Sequence, residues 1–564
     1  MSEIIHQTKI KLFTIPFALF FLSPLFAPYL INPNVAPFYY IPVFTLLGFI
    51  TFLIRENREG FRIAAPVVVL LILSAPFLYS SNTQLFFYSL LAALALAGVL
   101  SKAQLYSAYI TFLISTAIII SLSLYVWLGW NGDEALHFYG WALTTDAFQS
   151  KMNGPFANGN VLAIIMVCAW SVSSWFWMKS SDKSQWGWLL LTIFFWIFIF
   201  SSMARGAWLA QLFILVWLVI ELLRRKSHLK ISALLIAGFI AWGASDILVQ
   251  QNQSQLGGIQ QQFEKSAATG LNARITLWKS VWEVWKENPI FGVGPSQLKA
   301  HYLTGQSKVL ADQPHLNGLR DTDSAHNILL HLMAEYGIAG LMLWLLISLL
   351  ILRLLWIYRH KLDSLRWPAL ASVVVLWIQG HINISLTEPF PLILFAFMLG
   401  ICAKPLLRTT RTLQIKKTWI VAVSVLVFAF LVSGAFQTTI AWSKFGQWVQ
   451  MDYKDPMKGK VASELATNDD IFPYLVEFSI AEMIHLPEKQ RQIAEMRPLI
   501  LRALSLNERP RLYKELFYAY LVDNKLDEAC KVGLFIHQQR WLNEPNSKAY
   551  ADVCNGRIPQ AFQL

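Results

Sequence analysis

The chain of 564 residues is 55% hydrophobic and only 14% charged, with a mean hydropathy of +0.46. A soluble protein of this length could not bury so much apolar surface, so we expect lipid to be part of its solvent. The formal net charge of +12 is typical of membrane proteins with basic cytoplasmic loops. The sequence has neither zinc-finger spacing nor a basic helix with interleaved aromatic residues, which argues against nucleic-acid binding.

Long apolar segments recur along most of the chain. Since a helix needs about 20 apolar residues to cross a bilayer, the sequence predicts an all-α polytopic membrane protein with about 13 transmembrane helices. The first follows Lys9 and Lys11 and lacks a convincing cleavage site, so we interpret it as a retained span. The predicted spans lie near residues 11–31, 36–54, 63–80, 84–100, 105–127, 158–178, 186–201, 207–223, 231–249, 327–352, 367–386, 389–404 and 418–438.

Every second connection between these spans is basic, and the connections that alternate with them are nearly uncharged. The positive-inside rule assigns the basic connections to the cytoplasm, which places the N-terminus inside and the C-terminus outside. The basic residues concerned are Arg55, Arg58, Arg62, Lys102, Lys179, Lys183, Arg224, Arg225, Lys226, Lys230, Arg353, Arg359, Lys361, Arg366, Arg408, Arg411, Lys416 and Lys417.

Two long outer loops, 128–157 and 250–325, belong to a predicted transmembrane domain over residues 1–438. From 439 to 564 the composition changes to scattered charges and short amphipathic patterns, which predict a soluble, tetratricopeptide-like helical domain outside the membrane. Cys530 and Cys554 both fall in this domain. An oxidising compartment would permit a disulfide between them, and two buried thiols are an equally good interpretation.

Two arginines are candidates for binding an anion. Arg205 lies between two apolar runs, where an ionisable residue indicates function, although an arginine snorkelling at the interface is the alternative. Arg274 lies on an amphipathic segment of the larger outer loop, where most arginines are simply solvated. Two guanidinium groups on one face could clamp a pyrophosphate through bidentate hydrogen bonds.

Polar residues at the outer ends of spans complete the candidate site. His326 opens the tenth span; its neutral imidazole could take a proton from a hydroxyl, although a lone histidine at a helix start is more often a capping or packing residue. Asn327 and Glu335 follow it on the same span and are predicted to bind substrate. Asn158 and Asn160 could bind substrate, or could simply cap a helix. Glu388, at the turn between the eleventh and twelfth spans, could orient a base or bind sugar.

Four segments resemble the O-antigen ligase and O-antigen polymerase superfamily of bacterial envelopes. They are GPFANGN at 154–160, the ARGAWLA run that contains Arg205, RITLWKSVWEVWKENPIFGVGP from Arg274, and AHNILLHLMAEYGIAG around His326. Together they cover roughly residues 150–345 in the family's order. The C-terminal helical domain is similar to that of the branch that glycosylates proteins, the O-linked oligosaccharyltransferases that act on pilins.

The resemblance implies a C-type glycosyltransferase-like fold without metal or other cofactor, in the bacterial inner membrane with a periplasmic active site. It implies an O-oligosaccharyltransferase that moves a glycan from undecaprenyl pyrophosphate to Ser or Thr of exported proteins such as pilin. The partners implied are the lipid-linked oligosaccharide, the acceptor protein and membrane lipid. Arg205 and Arg274 would neutralise the departing pyrophosphate, and His326 would be the general base of an inverting displacement.

Other functions stay open. An O-antigen ligase would use lipid A-core as the acceptor, and an O-antigen polymerase would use another glycan repeat. A lipid-glycan transporter would show repeat-related halves or a polar stripe at the bilayer midplane, and the sequence has neither. A non-catalytic scaffold would give no role to Arg205 or His326.

Overall fold

The computed structural model describes residues 14–26, 36–55, 60–64, 100–127, 156, 158–252, 259–313, 315–319, 322, 324–407, 412–451, 456–484, 492–539 and 547–555. Its elements in chain order are α1 (Thr14–Phe21), α2 (Ala36–Arg55), β1 (Gly60–Ala64), α3 (Lys102–Trp127), α4 (Gly159–Lys179), α5 (Ser184–Ser201), α6 (Arg205–Arg224), α7 (His228–Asn252), α8 (Ile259–Glu287), α9 (Tyr302–Asp312), α10 (Ile328–Tyr358), α11 (Trp367–Gly380), α12 (Pro389–Leu407), β2 (Thr412–Lys416), α13 (Lys417–Gln450), α14 (Pro456–Leu465), α15 (Phe472–Ile484), α16 (Arg497–Leu506), α17 (Pro510–Val522), α18 (Leu526–Gln539) and α19 (Ser547–Asp552).

The helical class predicted from the sequence is confirmed, and seven helices within the described ranges are long and apolar enough to cross a membrane. Shorter apolar helices coincide with the predicted spans at 36–54, 367–386 and 389–404. Apart from residues 63, 64 and 100, the predicted spans at 63–80 and 84–100 lie outside the described residues, so the total of about 13 stays a prediction.

The described residues also contain one short β-ribbon that the sequence did not predict. Strands β1 and β2 form a two-stranded antiparallel ribbon in which Gly60 pairs with Lys416 and Ala64 with Thr412. Both strands come from basic connections that the sequence analysis treated as loops. A pattern of apolar residues cannot reveal such a ribbon, because backbone hydrogen bonds between distant segments hold it together.

The chain divides into two compact units. Unit 1 comprises Met1–Lys265 and Leu346–Phe436, and unit 2 comprises Ser266–Leu345 and Gln437–Leu564. The divisions fall within α8, α10 and α13. The predicted domain boundary at residue 438 is close to one division, but residues 266–345, which we had assigned to the transmembrane domain, group with the C-terminal helices.

Helix α4 is the centre of unit 1. It begins where Asn158 caps its first turn, and its residues from Val161 to Met178 are buried among α5, α6, α11 and α3. Tryptophans fill the inner space: the Trp170 and Trp196 rings lie tilted against each other with centroids 5.2 Å apart, and the Trp175 indole N–H donates to the Leu362 carbonyl at 2.8 Å. A helix that is apolar on all sides is expected to lie inside a bundle, as this one does.

Three of the basic connections meet on one side of unit 1. The Asp363 carboxylate, in the connection after α10, lies 2.6 Å from Lys179 Nζ and 3.0 Å from Arg225 Nη1. Lys179 ends α4 and Arg225 follows α6. Hydrogen bonds from Arg225 and Lys179 lower the pKa of Asp363 to about 2, so the cluster is charged at neutral pH.

The other three basic connections join the same side of unit 1. The β1–β2 ribbon pairs the connection after α2 with the connection after α12. Lys404 Nζ, in α12, donates to the Leu100 carbonyl just before α3 at 2.5 Å, and the Tyr109 hydroxyl of α3 donates to Leu365 at 2.9 Å, in the connection after α10. This arrangement supports the alternation of basic and uncharged connections read from the sequence.

Unit 2 is built around a core to which both of its chain segments contribute. Val281 and Val284 of α8 and Leu303 of α9 pack in one buried cluster with Phe517 of α17 and Ile536 of α18. A second cluster lies among α15, α16 and α17. The larger outer loop is therefore joined to the C-terminal helices by burial of apolar surface. The tetratricopeptide-like interpretation of those helices stays a prediction.

A buried polar network crosses this core. The Gln306 side chain of α9 donates to Gln539 Oε1 of α18 at 2.6 Å and to the Leu319 carbonyl at 2.8 Å, and it accepts from the Leu319 N–H at 2.8 Å. Gln539 in turn donates to the Leu303 carbonyl at 2.8 Å. Both glutamines are fully buried, so these hydrogen bonds fix the segment that leads toward His326.

A disulfide joins Cys530 in α18 to Cys554 near the end of the described chain. It resolves the two interpretations that the sequence left open. The bond ties the N-terminal half of α18 to the turn that follows α19.

We expect Cys530→Ser to lower the free energy of unfolding by about 2–4 kcal/mol, since the unfolded chain regains the freedom of the closed loop. Thermal unfolding of the purified protein checks this, and the double variant with Cys554→Ser separates loss of the bond from effects of a free thiol. Alkylation of both thiols in unreduced, denatured wild-type protein isolated from cells would contradict the disulfide.

Glu515 of α17 is a buried carboxyl with unusual titration. Burial raises the pKa of Glu515 from 4.5 to about 7; nearby Glu477 raises it as well, and Arg511 opposes the shift. Because the folded state holds this proton and the unfolded state releases it, stability falls as pH rises from about 4.5 to above 7.

Glu515→Gln is therefore expected to stabilise the protein near pH 8.5, by up to roughly 3 kcal/mol at about 1.4 kcal/mol per pKa unit, and to have little effect near pH 5. Thermal unfolding at the two pH values measures the difference. Glu495→Gln, at an exposed carboxylate, is the matched control. Equal effects of Glu515→Gln at both pH values would show that the carboxyl does not titrate in this way.

Candidate active site

His326 lies immediately before α10 with a backbone φ of +50°. Few non-glycine residues adopt this left-handed conformation, which persists only where the surroundings hold it. Here the His326 N–H donates to Ser324 Oγ at 3.2 Å, and the Ala325 side chain is buried in the core of unit 2. The backbone on the N-terminal side of His326 is thus anchored, which sets the direction of the imidazole.

Asn327 caps α10 at the next position. Its Oδ1 accepts hydrogen bonds from the N–H groups of Leu329 at 3.0 Å and Leu330 at 3.2 Å, which satisfies donors in the first turn of the helix. The residue that caps the helix is therefore Asn327 and not His326. The sequence analysis predicted that Asn327 binds substrate. Because its side-chain oxygen caps the helix, its amide nitrogen would make that contact.

The His326 imidazole is partly buried and lies in the field of Arg274. Burial, and then the positive charge of Arg274, lower the pKa of His326 from 6.5 to about 4. Both effects disfavour the imidazolium ion. His326 is therefore neutral at physiological pH and can accept a proton, as a general base requires.

Arg274 is positioned by α8. Leu277, Val281 and Val284 recur along one face of this helix and are buried in the core of unit 2, as the amphipathic pattern predicts. Arg274 lies one turn before Leu277 and is partly buried. The structure thus brings Arg274 and His326, which are far apart in sequence, within electrostatic reach of each other.

A break in α10 ties the end of α8 to the helix that follows His326. Gly337 has φ +60° and ψ −142°, and the turn after α8 enters at this point. The Ile338 N–H donates to Pro289 at 3.0 Å, and the Val293 N–H donates to Ala334 at 2.8 Å. These bonds pair backbone groups at the break, which a membrane-embedded helix could not leave unpaired.

Gly292 and Gly337, which meet at this junction, are required for steric as well as conformational reasons. A Cβ on Gly337 would lie 2.2 Å from the Ile290 carbonyl oxygen, and one on Gly292 would lie 2.4 Å from the Glu335 carbonyl carbon. Each glycine also has a positive φ. The close approach packs the turn after α8 directly against the break in α10.

Glu335 is buried at the same junction. Its Oε1 accepts from the Leu298 N–H at 3.5 Å, and its Oε2 lies 3.5 Å from His331 Nε2. These are contacts to protein groups, and the predicted binding of substrate by Glu335 stays a prediction. His331 Nδ1 is buried and has no hydrogen-bond partner among the described residues.

Arg205 belongs to unit 1, where it begins α6. The chain leaves α5 through a tight turn in which Met203 has φ +56°, and Gly206 then lies against Gln379 of α11. A Cβ at position 206 would be 2.3 Å from Gln379 Oε1. The glycine of the ARG segment therefore permits the start of α6 to pack directly on α11.

Gln379 is a residue that the sequence analysis missed. It is fully buried next to Gly206, and neither its amide oxygen nor its amide nitrogen has a hydrogen-bond partner within the described ranges. Buried polar groups are normally paired, so such a side chain beside Arg205 is a candidate substrate contact. A glutamine inside the apolar run at 367–386 was the available signal.

The other predicted polar residues of unit 1 lie at helix starts. Asn158 Oδ1 accepts from the backbone N–H of Asn160 at 2.9 Å and from its side-chain amide at 2.8 Å, which is the capping arrangement weighed from the sequence. The Glu388 carbonyl accepts from Leu392 in the first turn of α12. Substrate contacts for these three residues stay predictions. No three His, Cys, Asp or Glu side chains converge as a metal-binding group in the described part of the chain.

A family model described as O-antigen ligase matches residues 189–345. This stretch contains Arg205, Arg274 and His326, and the match confirms the resemblance to the O-antigen ligase and polymerase superfamily. Together with the seven long apolar helices of the described residues, the match indicates an integral membrane protein that is similar to the O-antigen ligase family over this stretch. No match was found among curated proteins.

Proposed function

We propose that the chain is an O-oligosaccharyltransferase that transfers a glycan from undecaprenyl pyrophosphate to Ser or Thr of exported proteins such as pilin, in the periplasm. The observation that carries the proposal is the electrostatic coupling between a partly buried His326 and Arg274, both inside the stretch that matches the ligase family. A base and an anion-binding group close together are what transfer from a lipid pyrophosphate to an alcohol requires.

In the proposed reaction, the acceptor oxygen attacks the anomeric carbon of the donor. The new C–O bond forms as the bond to the pyrophosphate oxygen breaks, and this oxygen leaves with the bonding electrons. His326 takes the hydroxyl proton, and the guanidinium groups of Arg274 and Arg205 balance the charge on the leaving group. One displacement from the opposite face inverts the anomeric configuration.

Arg274 lowers the pKa of His326 in the free protein and would bind the pyrophosphate in the complex. An anion at Arg274 would offset the guanidinium charge, so the pKa of His326 would rise when the donor binds. The imidazole would then be a stronger base when donor is present than when it is absent.

The periplasmic location is supported by two observations. The basic connections of unit 1 share one side, which the positive-inside rule assigns to the cytoplasm. Arg205 follows α5 at the end away from the basic connection that holds Lys179 and Lys183, and Cys530 forms a disulfide. Both observations support the proposed periplasmic location.

A second candidate is ligation of the glycan to lipid A-core, which the description of the matching family favours. The two functions would share His326 and the arginines and differ only in acceptor. The C-terminal helices favour a protein acceptor, because they add a folded surface that packs in one core with the segment carrying Arg274.

Parallel transfer assays distinguish the candidates. The purified protein in lipid nanodiscs is given an undecaprenyl pyrophosphate-linked oligosaccharide with either a pilin or lipid A-core, and each acceptor is weighed by mass spectrometry. We expect the pilin to gain the mass of the glycan, and a pilin without the acceptor hydroxyl to gain none. Transfer to lipid A-core alone would establish the ligase, and transfer to neither acceptor would contradict both candidates.

A further inference from the structure

The turn that follows α8 exposes two large apolar side chains. Ile290 is 62% exposed and Phe291 is 83% exposed, and we call this pair the apolar tip. The backbone under the tip is fixed, since the Ile290 carbonyl accepts from the Ile338 N–H at 3.2 Å and lies against Gly337. The tip therefore cannot fold back to bury these side chains without breaking its hydrogen bonds to α10.

The exposed face of α10 shows where the bilayer lies relative to this tip. Before the break at Gly337, Met333, Ala334 and Glu335 are buried in protein. From Ile338 onward, α10 exposes a run of large apolar side chains: Ile338, Met342, Leu343, Leu345, Leu346, Leu349, Leu352 and Trp356. The stretch from Ile338 to Trp356 is about 27 Å long, close to the roughly 30 Å of a hydrocarbon core.

The two ends of that stretch carry interfacial groups. At the far end, the Arg359 guanidinium stacks 3.7 Å above the Trp356 ring, as expected at a membrane surface. At the near end, Trp282 and Trp285 of α8 lie with ring centroids 4.6 Å apart, and the Trp285 N–H donates to Pro289 at 3.2 Å. One boundary of the hydrocarbon core thus falls close to Gly337, at the level of the apolar tip.

We propose that the apolar tip inserts into the bilayer leaflet nearest the His326 end of α10, with Trp282 and Trp285 at the headgroup level. The occupant of this surface is bilayer lipid, because the tip continues the lipid-facing run of α10 at Ile338. Apolar side chains bounded by tryptophans are the usual means by which a segment is held at a membrane interface.

The proposal does not depend on the transferase function. If that function holds, the insertion fixes α8 at the membrane surface, which is where the pyrophosphate of a polyprenyl donor lies. Arg274 would then meet the headgroup of the donor at a constant depth.

The test places a nitrobenzoxadiazole probe on Phe291→Cys of the full-length protein in nanodiscs. The native thiols give little background, because Cys168 and Cys402 are buried and Cys530 is bonded to Cys554. Leu349→Cys serves as the lipid-facing reference, and Ser505→Cys, at an exposed polar position of α16, serves as the aqueous reference. Ile290→Cys is a second probe site, should the first variant fail to fold.

We expect doxyl-labelled lipid to quench the probe at 291 or 290 to the same degree as the probe at 349, with iodide quenching only the probe at 505. A probe at the tip that is quenched by iodide and spared by doxyl lipid, as at Ser505, would overturn the proposal.

Discussion

Replacing His326 with alanine is expected to lower turnover by about 10²–10⁴-fold, the usual contribution of a positioned general base. The substitution removes the imidazole that would take the acceptor proton, and Ser324 and Asn327 still hold the backbone on either side. Turnover is measured by mass spectrometry of the acceptor at saturating donor. His315→Ala, at an exposed position of the same unit, is the matched control and should keep wild-type turnover.

The pH dependence of the wild-type protein gives a second test of the same residue. Because burial and Arg274 lower the pKa of His326 from 6.5 to about 4, the base stays available through neutral pH and is lost as pH falls through about 4. The acidic limb of kcat/KM should therefore lie near pH 4. The acidic limb of kcat should lie higher, because the bound pyrophosphate offsets the Arg274 charge. Wild-type turnover in His326→Ala would contradict the assignment of the base.

The second large effect is expected from Arg274. Arg274→Ala should lower kcat by about 10²–10³-fold, the loss typical when one preorganised donor to a developing negative charge is removed. Arg274→Lys should recover only part of this, because an ammonium group lacks the bidentate fork of a guanidinium. The same measurement on Arg205→Ala should show the same direction of change.

Arg274→Ala should also alter the titration of His326, which a purely structural role would not do. Loss of the guanidinium charge removes one of the two causes that lower the pKa of His326, so the acidic limb of kcat/KM should move to higher pH. The residual activity of Arg274→Ala suffices for this measurement. A limb unmoved from that of the wild type would show that Arg274 does not act on His326.

Local patterns predicted those parts of the fold that local forces determine. Runs of apolar residues predicted α3 to α7, and alternating basic connections predicted which ends of these helices share a side. The amphipathic pattern around Arg274 predicted a helical segment, which in the structure is a helix that begins earlier, at Ile259. In each case the signal is the period of apolar residues or the charge of a connection, and both can be read without knowing the partners.

Features that depend on partners far away in the sequence could not be predicted. No pattern in the connections at 60–64 and 412–416 indicates that they pair, and none shows that Val281 shares a core with Phe517. The break at Gly337 depends on a turn that enters from the end of α8, so the glycine alone carries no such information.

The same distinction between local and long-range features applies to the candidate site. The resemblance to a known family selected Arg274 and His326 as functional residues, whereas the structure supplies their electrostatic coupling and the left-handed backbone of His326. Spacing alone also could not tell a cap from a substrate ligand. Asn158 and Asn327 both cap helices, because an amide oxygen at a helix start finds unpaired N–H groups within reach.

The most direct measurement is a structure of the protein in nanodiscs with an uncleavable analogue of the lipid-linked pyrophosphate sugar. Our account predicts phosphate oxygens within hydrogen-bond distance of the Arg274 guanidinium and the anomeric carbon on the side of the His326 imidazole. A pyrophosphate bound away from Arg274, or at the face of unit 1 that holds Lys179 and Arg225, would contradict it.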